Sequence, residues 1–492
     1  MNTRERDLYI VKLLGEKVEG KDSSLNLSYE RLGDLGVAFL ARAKNLSHVT
    51  HLDLSWNEIT DVGVQELAKA TSLTNLLSLN LDSNRIGCAG ARALAQSVHF
   101  PSLKMISLTH NRVSDEGALT LVKSANLKNL ETLGLELNHI GKTRLTQFPD
   151  GTANTHLRLL NLRRNHIGDE ALANWLQTGA FAPLNHLNLG WNRIGDPGAM
   201  ALAKSPLLGK LEKLFLDSNH IGNEGSLAIA RSKHLNALTD LYLFDNDFDR
   251  ESETALLDFR IRLLIKKHLV GSVLNLNGRK MGNKGLAALM RSERLKDVET
   301  LLLRNNQIDH RGMRIIAESK NLSGLRSLNL MSNLLGNKGM VLFAEAEGVS
   351  NLKILNLENT GILSAGLMAL AKSKSLAALE ELNLSKNELT GKGIRYLAES
   401  GNFRNLKRLV VTDIEMGDAG LRSLAMSEHL SQLEELRVNG NSLTRVGVNL
   451  LVRSPNLNKL KTLDLRRNLF READLNLITG CDRFKNLKEL RF

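Results

Sequence analysis

The sequence predicts an α/β solenoid, a curved horseshoe with a parallel β-sheet on its concave face and helices on its convex face. Three observations predict it. A short pattern, LxLxxNxI, returns every 27 residues, a Gly-containing turn follows it, and an Ala/Leu-rich run with helical spacing follows the turn.

The strand half comes first. The pattern reads Leu52-Asp53-Leu54-Ser55-Trp56-Asn57-Glu58-Ile59 and recurs as Leu79 to Ile86 and Leu187 to Ile194. With its Asn as a ruler, the slot falls at Asn57, Asn84, Asn111, Asn138, Asn165, Asn192, Asn219 and Asn246, with Glu30 in a weaker first unit. After one step of 33 it falls at Arg279, Asn306, Asn333, Thr360, Asn387, Ile414, Asn441 and Asn468. The paired Leu residues alternate with polar ones, as a strand with one buried face requires. The Asn is placed to satisfy backbone groups at the turn that follows.

The helix half follows a turn such as Gly195-Asp196-Pro197-Gly198 and runs on as Ala199-Met200-Ala201-Leu202-Ala203-Lys204-Ser205. Gly and Asp are helix-start signals, and the apolar residues recur on one helical face. Seventeen strands at about 4.8 Å spacing make a face of about 80 Å along its arc. Helices are wider than strands, so the stack is expected to curve with the sheet inside.

On these residues the chain resembles the leucine-rich-repeat family, from about Leu25 to the end, and within it the ribonuclease-inhibitor-like class. Its turn-to-helix segments Gly90-Ala91-Arg92-Ala93-Leu94-Ala95 and Gly198-Ala199-Met200-Ala201-Leu202-Ala203 are also similar to those of bacterial effector repeats. The 27-residue unit is a residue or two shorter than is usual in the ribonuclease-inhibitor-like class. The resemblance implies a non-catalytic protein-binding scaffold. It leaves open a regulator of an enzyme, such as a small-GTPase activator or an enzyme inhibitor, and an effector acting on host proteins. A ribonuclease inhibitor is acidic and rich in cysteine, and this chain is neither.

The expected organisation is a short capping helix within 1–20, then a solenoid over 21–492 of seventeen units and a partial eighteenth. The longer unit, at about 243–274, has an extended helical run, Glu253 to His268, that ends on a basic cluster. That cluster reads either as a partner or membrane contact or as a longer helix packed on its neighbours. The chain stops within a strand, at Leu490-Arg491-Phe492, and the uncapped edge offers self-association.

The net charge is +12, and two cysteines, Cys88 and Cys481, sit at opposite ends of the array. They frame no disulfide scaffold, and the N-terminus lacks a secretory pattern, so the expected compartment is the cytoplasm, with export as an effector left open. No apolar run is long enough to span a membrane. No phosphate loop, zincin or nucleophile-elbow motif occurs, and the cysteines have no zinc spacing, so no catalysis, cofactor or metal is expected. His139, His166 and His220 share the slot after the ruler with Arg85, Arg112 and Arg193. The histidines read as solvated side chains rather than as metal ligands, and the basic ladder, partly neutralised by Asp115, Glu116, Asp169, Glu170, Asp196 and Glu224, reads as a candidate for steering an acidic partner.

The concave-face slots lie six, four, two and one residues before the ruler. They hold nine Lys or Arg against eleven Asp or Glu, so the basic excess lies off that face and no nucleic-acid track is expected there. Eight of the middle slots are Asn, from Asn26 and Asn80 to Asn383, and are placed to form side-chain amide ladders. Aromatic residues make up 4% of the chain, yet Trp191, Phe215, Tyr242 and Phe244 crowd three consecutive units. Arg163 and Arg164 lie to one side of them, and Asp217, Asp240 and Asp245 lie among them. Aromatic residues ringed by charge describe a binding hot spot, so these nine residues are the expected protein-partner contact. Tyr29 and Trp56 form a smaller second pair.

Overall fold

The structure, a computed structural model, describes residues 12–13, 15–17, 22–142 and 154–492. Most of the expected capping helix within 1–20 lies outside them. The chain divides into two compact units, Met1–Leu263 and Leu264–Phe492.

In the first unit nine three-residue strands, from Ser24–Asn26 to Asp240–Tyr242, pair in chain order into one parallel sheet. Partners are 27 residues apart throughout, as in Leu52 with Leu79, Leu133 with Leu160 and Phe215 with Tyr242. Helices such as Asp61–Leu67, Cys88–Gln96 and Asp196–Lys204 connect the strands. The strand Leu pairs and the helix Leu and Ala residues are almost completely buried, as with Leu187, Leu189, Ala199 and Leu202. Each such Leu contributes about 2 kcal/mol of burial, repeated rung after rung.

The second unit opens differently. The division falls within the 19-residue helix Arg250–His268, after which Leu269–Val270 pairs antiparallel with Val273–Asn275. From Val273–Asn275 onward the strands pair parallel, in chain order, to Glu489–Arg491. The expected single sheet is therefore two. The longer unit inserts a hairpin strand where a parallel one would fall, because its extra residues include the turn Gly271-Ser272.

Three ladders of side chains satisfy the backbone between rungs. The ruler Asn is buried: Asn192 Nδ2 donates to the carbonyls of Leu162 and Leu189, both at 3.0 Å, while its Oδ1 accepts from the Ile167 amide at 3.0 Å. A second ladder caps helices from the preceding rung. Asp196 Oδ1 accepts from the amides of Gly222 at 2.7 Å and Gly225 at 2.8 Å, and Asp169 does the same for Gly195 and Gly198. A Cβ on Gly225 would come within 2.6 Å of that oxygen, which is why the helix start carries Gly there. A third ladder serves the helix ends, whose last carbonyls lack helical partners. Ser232 Oγ donates to the Ala203 carbonyl at 2.6 Å, and Ser427 to that of Ala398 at 2.6 Å.

Candidate functional site

The first unit's sheet presents the expected contact residues in two groups. In one, Arg164 lies over the Trp191 ring, 4.9 Å from guanidinium carbon to centroid, with Arg163 at 6.0 Å. In the other, Phe215 and Tyr242 stack face to face, with centroids 4.5 Å apart and planes 1° from parallel. They occupy the same slot of paired strands, and strand spacing brings such rings into contact. Phe244 is 57% exposed and lines a cavity of about 360 Å³ with Tyr242, Asp245, Leu243, Phe248 and Leu256. Asp240 accepts from Thr239 Oγ1 at 2.9 Å and Asp245 from Ser218 Oγ at 3.4 Å; both carboxylates sit on the surface beside the rings.

Asp217 is a correction. It is 1% exposed and cannot present itself to a partner. Its Oδ2 accepts from Arg163 Nη1 at 2.8 Å, so it neutralises and holds that half-buried arginine. The expected amide ladders are also replaced. All eight middle-slot Asn side chains turn back on their own strand, as Asn161 and Asn188 accept from the amides of Arg163 and Gly190 at 3.1 and 3.0 Å.

Sequence reasoning missed the backbone of the slot just before the ruler. It is left-handed in rung after rung, with φ +62° at Tyr29, +58° at Trp56, +55° at Trp191 and +55° at Asp245. That conformation favours Gly, Asn and Asp and disfavours bulky residues. The second unit fills the slot with Gly278, Asn305, Ser332, Asn359, Lys386, Asp413, Gly440 and Arg467. The first unit places Tyr29, Trp56, Leu137, Arg164 and Trp191 there, against the local preference, beside Ser83, His110, Ser218 and Asp245. The signal was available in the Gly, Asn and Asp of the later rungs.

The smaller aromatic pair lies on the same row. Tyr29 and Trp56 stack with centroids 5.1 Å apart, and the His110 ring meets Trp56 edge-on at 6.2 Å. Nearby, burial pushes the Asp82 carboxyl above its usual value, with repulsion from Asp53 adding to it and hydrogen bonds from Ser107 and Thr109 opposing it. His139 and His166 are held below the usual imidazole value, first by burial and then by Lys142 and the neighbouring Arg112 and Arg193. Among the described residues no group of three potential ligands is placed to hold a metal ion. Nor is any helix there long and apolar enough to cross a membrane.

A family model described as Leucine Rich repeat matches residues 45–68, 72–95, 101–122, 153–173, 182–203, 323–344 and 377–398. Over these seven segments the chain is built of leucine-rich repeats. No curated protein matches it in sequence. Among solved structures, it is similar to an internalin from Listeria monocytogenes, at 18% identity over 86% of this chain and 88% of that one, with a TM-score of 0.30. It is also similar to a leucine-rich-repeat protein of Leptospira interrogans, at 18% identity over 98% of each chain, with a TM-score of 0.37.

Proposed function

We propose that the protein is a non-catalytic scaffold that binds a protein partner on the sheet face of its first unit. The contact is centred on Arg164, Trp191, Phe215, Tyr242 and Phe244, with Asp240 and Asp245 beside them and Arg163 held in place by Asp217. One observation carries the reading. Trp191, at φ +55° and 48% exposed, holds a large ring in water on a backbone that disfavours it, and the neighbouring Tyr242 and Phe244 are also exposed. Folding rewards these rings only through the contacts with Arg164 and Phe215 and not their exposure; a partner that covers them does, since aromatic and Arg anchors dominate protein interfaces.

The test is comparative capture from the native lysate. Tyr242→Ala with Phe244→Ala is expected to lose the partners that the unaltered chain retains, while its stability falls only by the lost stack on Phe215, about 1 kcal/mol. Full retention by the double variant places the interface elsewhere.

A further inference from the structure

The +12 charge is not spread over the chain. Met1–Leu263 holds 29 Lys or Arg against 30 Asp or Glu, while Leu264–Phe492 holds 36 against 23. The whole excess belongs to the second unit. On that unit's sheet side most of the charges are paired. Glu380 takes Lys353 and Lys407, both at 2.7 Å, and Arg408 bridges Glu381 and Glu435, also at 2.7 Å each. Of the cations without an ion pair, Lys280, Arg311 and Lys338 lie along the edge where the helices Gly282–Arg291, His310–Ala317 and Gly336–Ala344 begin, and Arg314 lies one turn into its helix.

Lys280, Arg311, Arg314 and Lys338 are exposed there, and among the described residues none of the four is in an ion pair. Arg311 and Lys338 are 27 residues apart, on equivalent positions of adjacent helices. The fold does not impose this charge. In the first unit the same edge is neutralised by the capping carboxylates, such as Asp61, Asp169 and Asp196. Here the capping duty passes to neutral amides. Asn337 Oδ1 accepts from the amides of Leu363 at 2.9 Å and Gly366 at 3.0 Å, and Asn283 Oδ1 accepts from that of Asp309 at 3.3 Å. The hydrogen bonds are kept with fewer negative charges, Asp309 being the carboxylate that remains, where it caps its own helix through the Arg311 amide at 2.7 Å.

Apolar side chains stand among these cations. Leu334 is 81% exposed, the most of any large hydrophobic residue described, and its amide bonds the Ile308 carbonyl, which places it beside the start of Arg311's helix. Leu363, bonded to Asn337 next to Lys338, and Val341 on the same helix as Lys338 are exposed too. A phosphate backbone uses cations but gains nothing from isolated leucines. The edge carries no exposed aromatic ring for base stacking. A bilayer interface uses both, since anionic headgroups attract Lys and Arg while aliphatic side chains enter the headgroup–acyl boundary.

We propose that this edge of the second unit docks on an anionic lipid surface, with Lys280, Arg311, Arg314 and Lys338 over the headgroups and Leu334 and Leu363 entering the interface. It does not depend on the partner site of the first unit.

The test is sedimentation of the full chain with phosphatidylcholine vesicles, with and without phosphatidylserine. Binding is expected only to the phosphatidylserine vesicles and is expected to weaken with added salt. Each neutralised cation is expected to lower partition about fivefold, so Arg311→Gln with Lys338→Gln lowers it about 25-fold. Leu334→Ser is expected to lower vesicle binding several-fold. Tyr242→Ala with Phe244→Ala leaves it unchanged, which separates this surface from the partner site. Arg311, Lys338 and Leu334 are exposed, and an unchanged thermal midpoint confirms folding of their variants. No binding by the unaltered chain overturns the proposal. So does vesicle binding that is indifferent to Leu334→Ser and is outcompeted by duplex DNA, which assigns the edge to nucleic acid.

Discussion

Arg163 and Asp217 are 54 residues apart and joined at 2.8 Å, Nη1 to Oδ2, across the strand that lies between theirs. Gly190 makes the crossing possible. A Cβ there would sit 2.5 Å from Arg163 Nη1 and 2.7 Å from Asp217 Oδ1. Gly190→Ala is therefore expected to break the pair and leave a buried carboxylate without its cation. Hydrogen bonds to charged groups are worth about 2 kcal/mol, and a loss of that size is expected in urea unfolding. A smaller loss for Arg163→Ala than for Gly190→Ala is expected as well, since removing the arginine lets water reach Asp217. Equal stability of Gly190→Ala and the unaltered chain contradicts the pair's contribution.

Phe215 and Phe244 separate stability from binding. Phe215 is half-buried and stacked on Tyr242, while Phe244 projects into solvent over the cavity beside Leu243. Phe215→Ala loses a stacked pair, about 1 kcal/mol beyond its lost burial. Phe244→Ala is expected to stay within about 0.5 kcal/mol of the unaltered chain, as surface substitutions do. Guanidinium unfolding of both variants checks the order.

Asp196 caps the following helix through two amides, and Asn337 performs the same task with a neutral side chain. Asp196→Asn is thus expected to be nearly neutral at pH 7. Asp196→Ala is expected to cost about 1 to 2 kcal/mol, the usual loss for a helix cap. Equal destabilisation by the two variants would show that charge, rather than hydrogen bonding, carries the cap.

The alternation of strand and helix was legible because the period of 27 repeats the same burial pattern at every rung, and Leu52, Leu79 and Leu187 announce it locally. The stacking of Phe215 on Tyr242 was legible for the same reason: equal slots in paired strands meet. The burial of Asp217 was not, because it depends on a reach of two rungs and on the missing side chain of Gly190 between them. The Asn side chains could have paired with each other or with their own backbone, and only the local turn two residues on, as at Asn188 and Gly190, decides. The break between the sheets was hidden because a 33-residue step states how much chain is added. It does not state that Leu269–Val270 turns back on Val273–Asn275.

Glu380 supplies the pH dependence. Hydrogen bonds from Lys353 and Lys407 hold its carboxyl at about 2, against an ordinary value of 4.5. The folded state therefore binds this proton less readily than the unfolded chain does. The stabilisation is complete above pH 4.5 and is lost as the pH falls toward 2. The group is partly exposed, with 27% of its side chain accessible, so solvent screening keeps the contribution to about 1 kcal/mol or less. Glu380→Gln is expected to lower stability at pH 7 by that amount and to match the unaltered chain near pH 2. Added salt is expected to narrow the difference at pH 7. Urea unfolding of both chains across this range, at low and high salt, checks all three. A gap that widens on acidification would reverse the sign and remove Glu380 from the account.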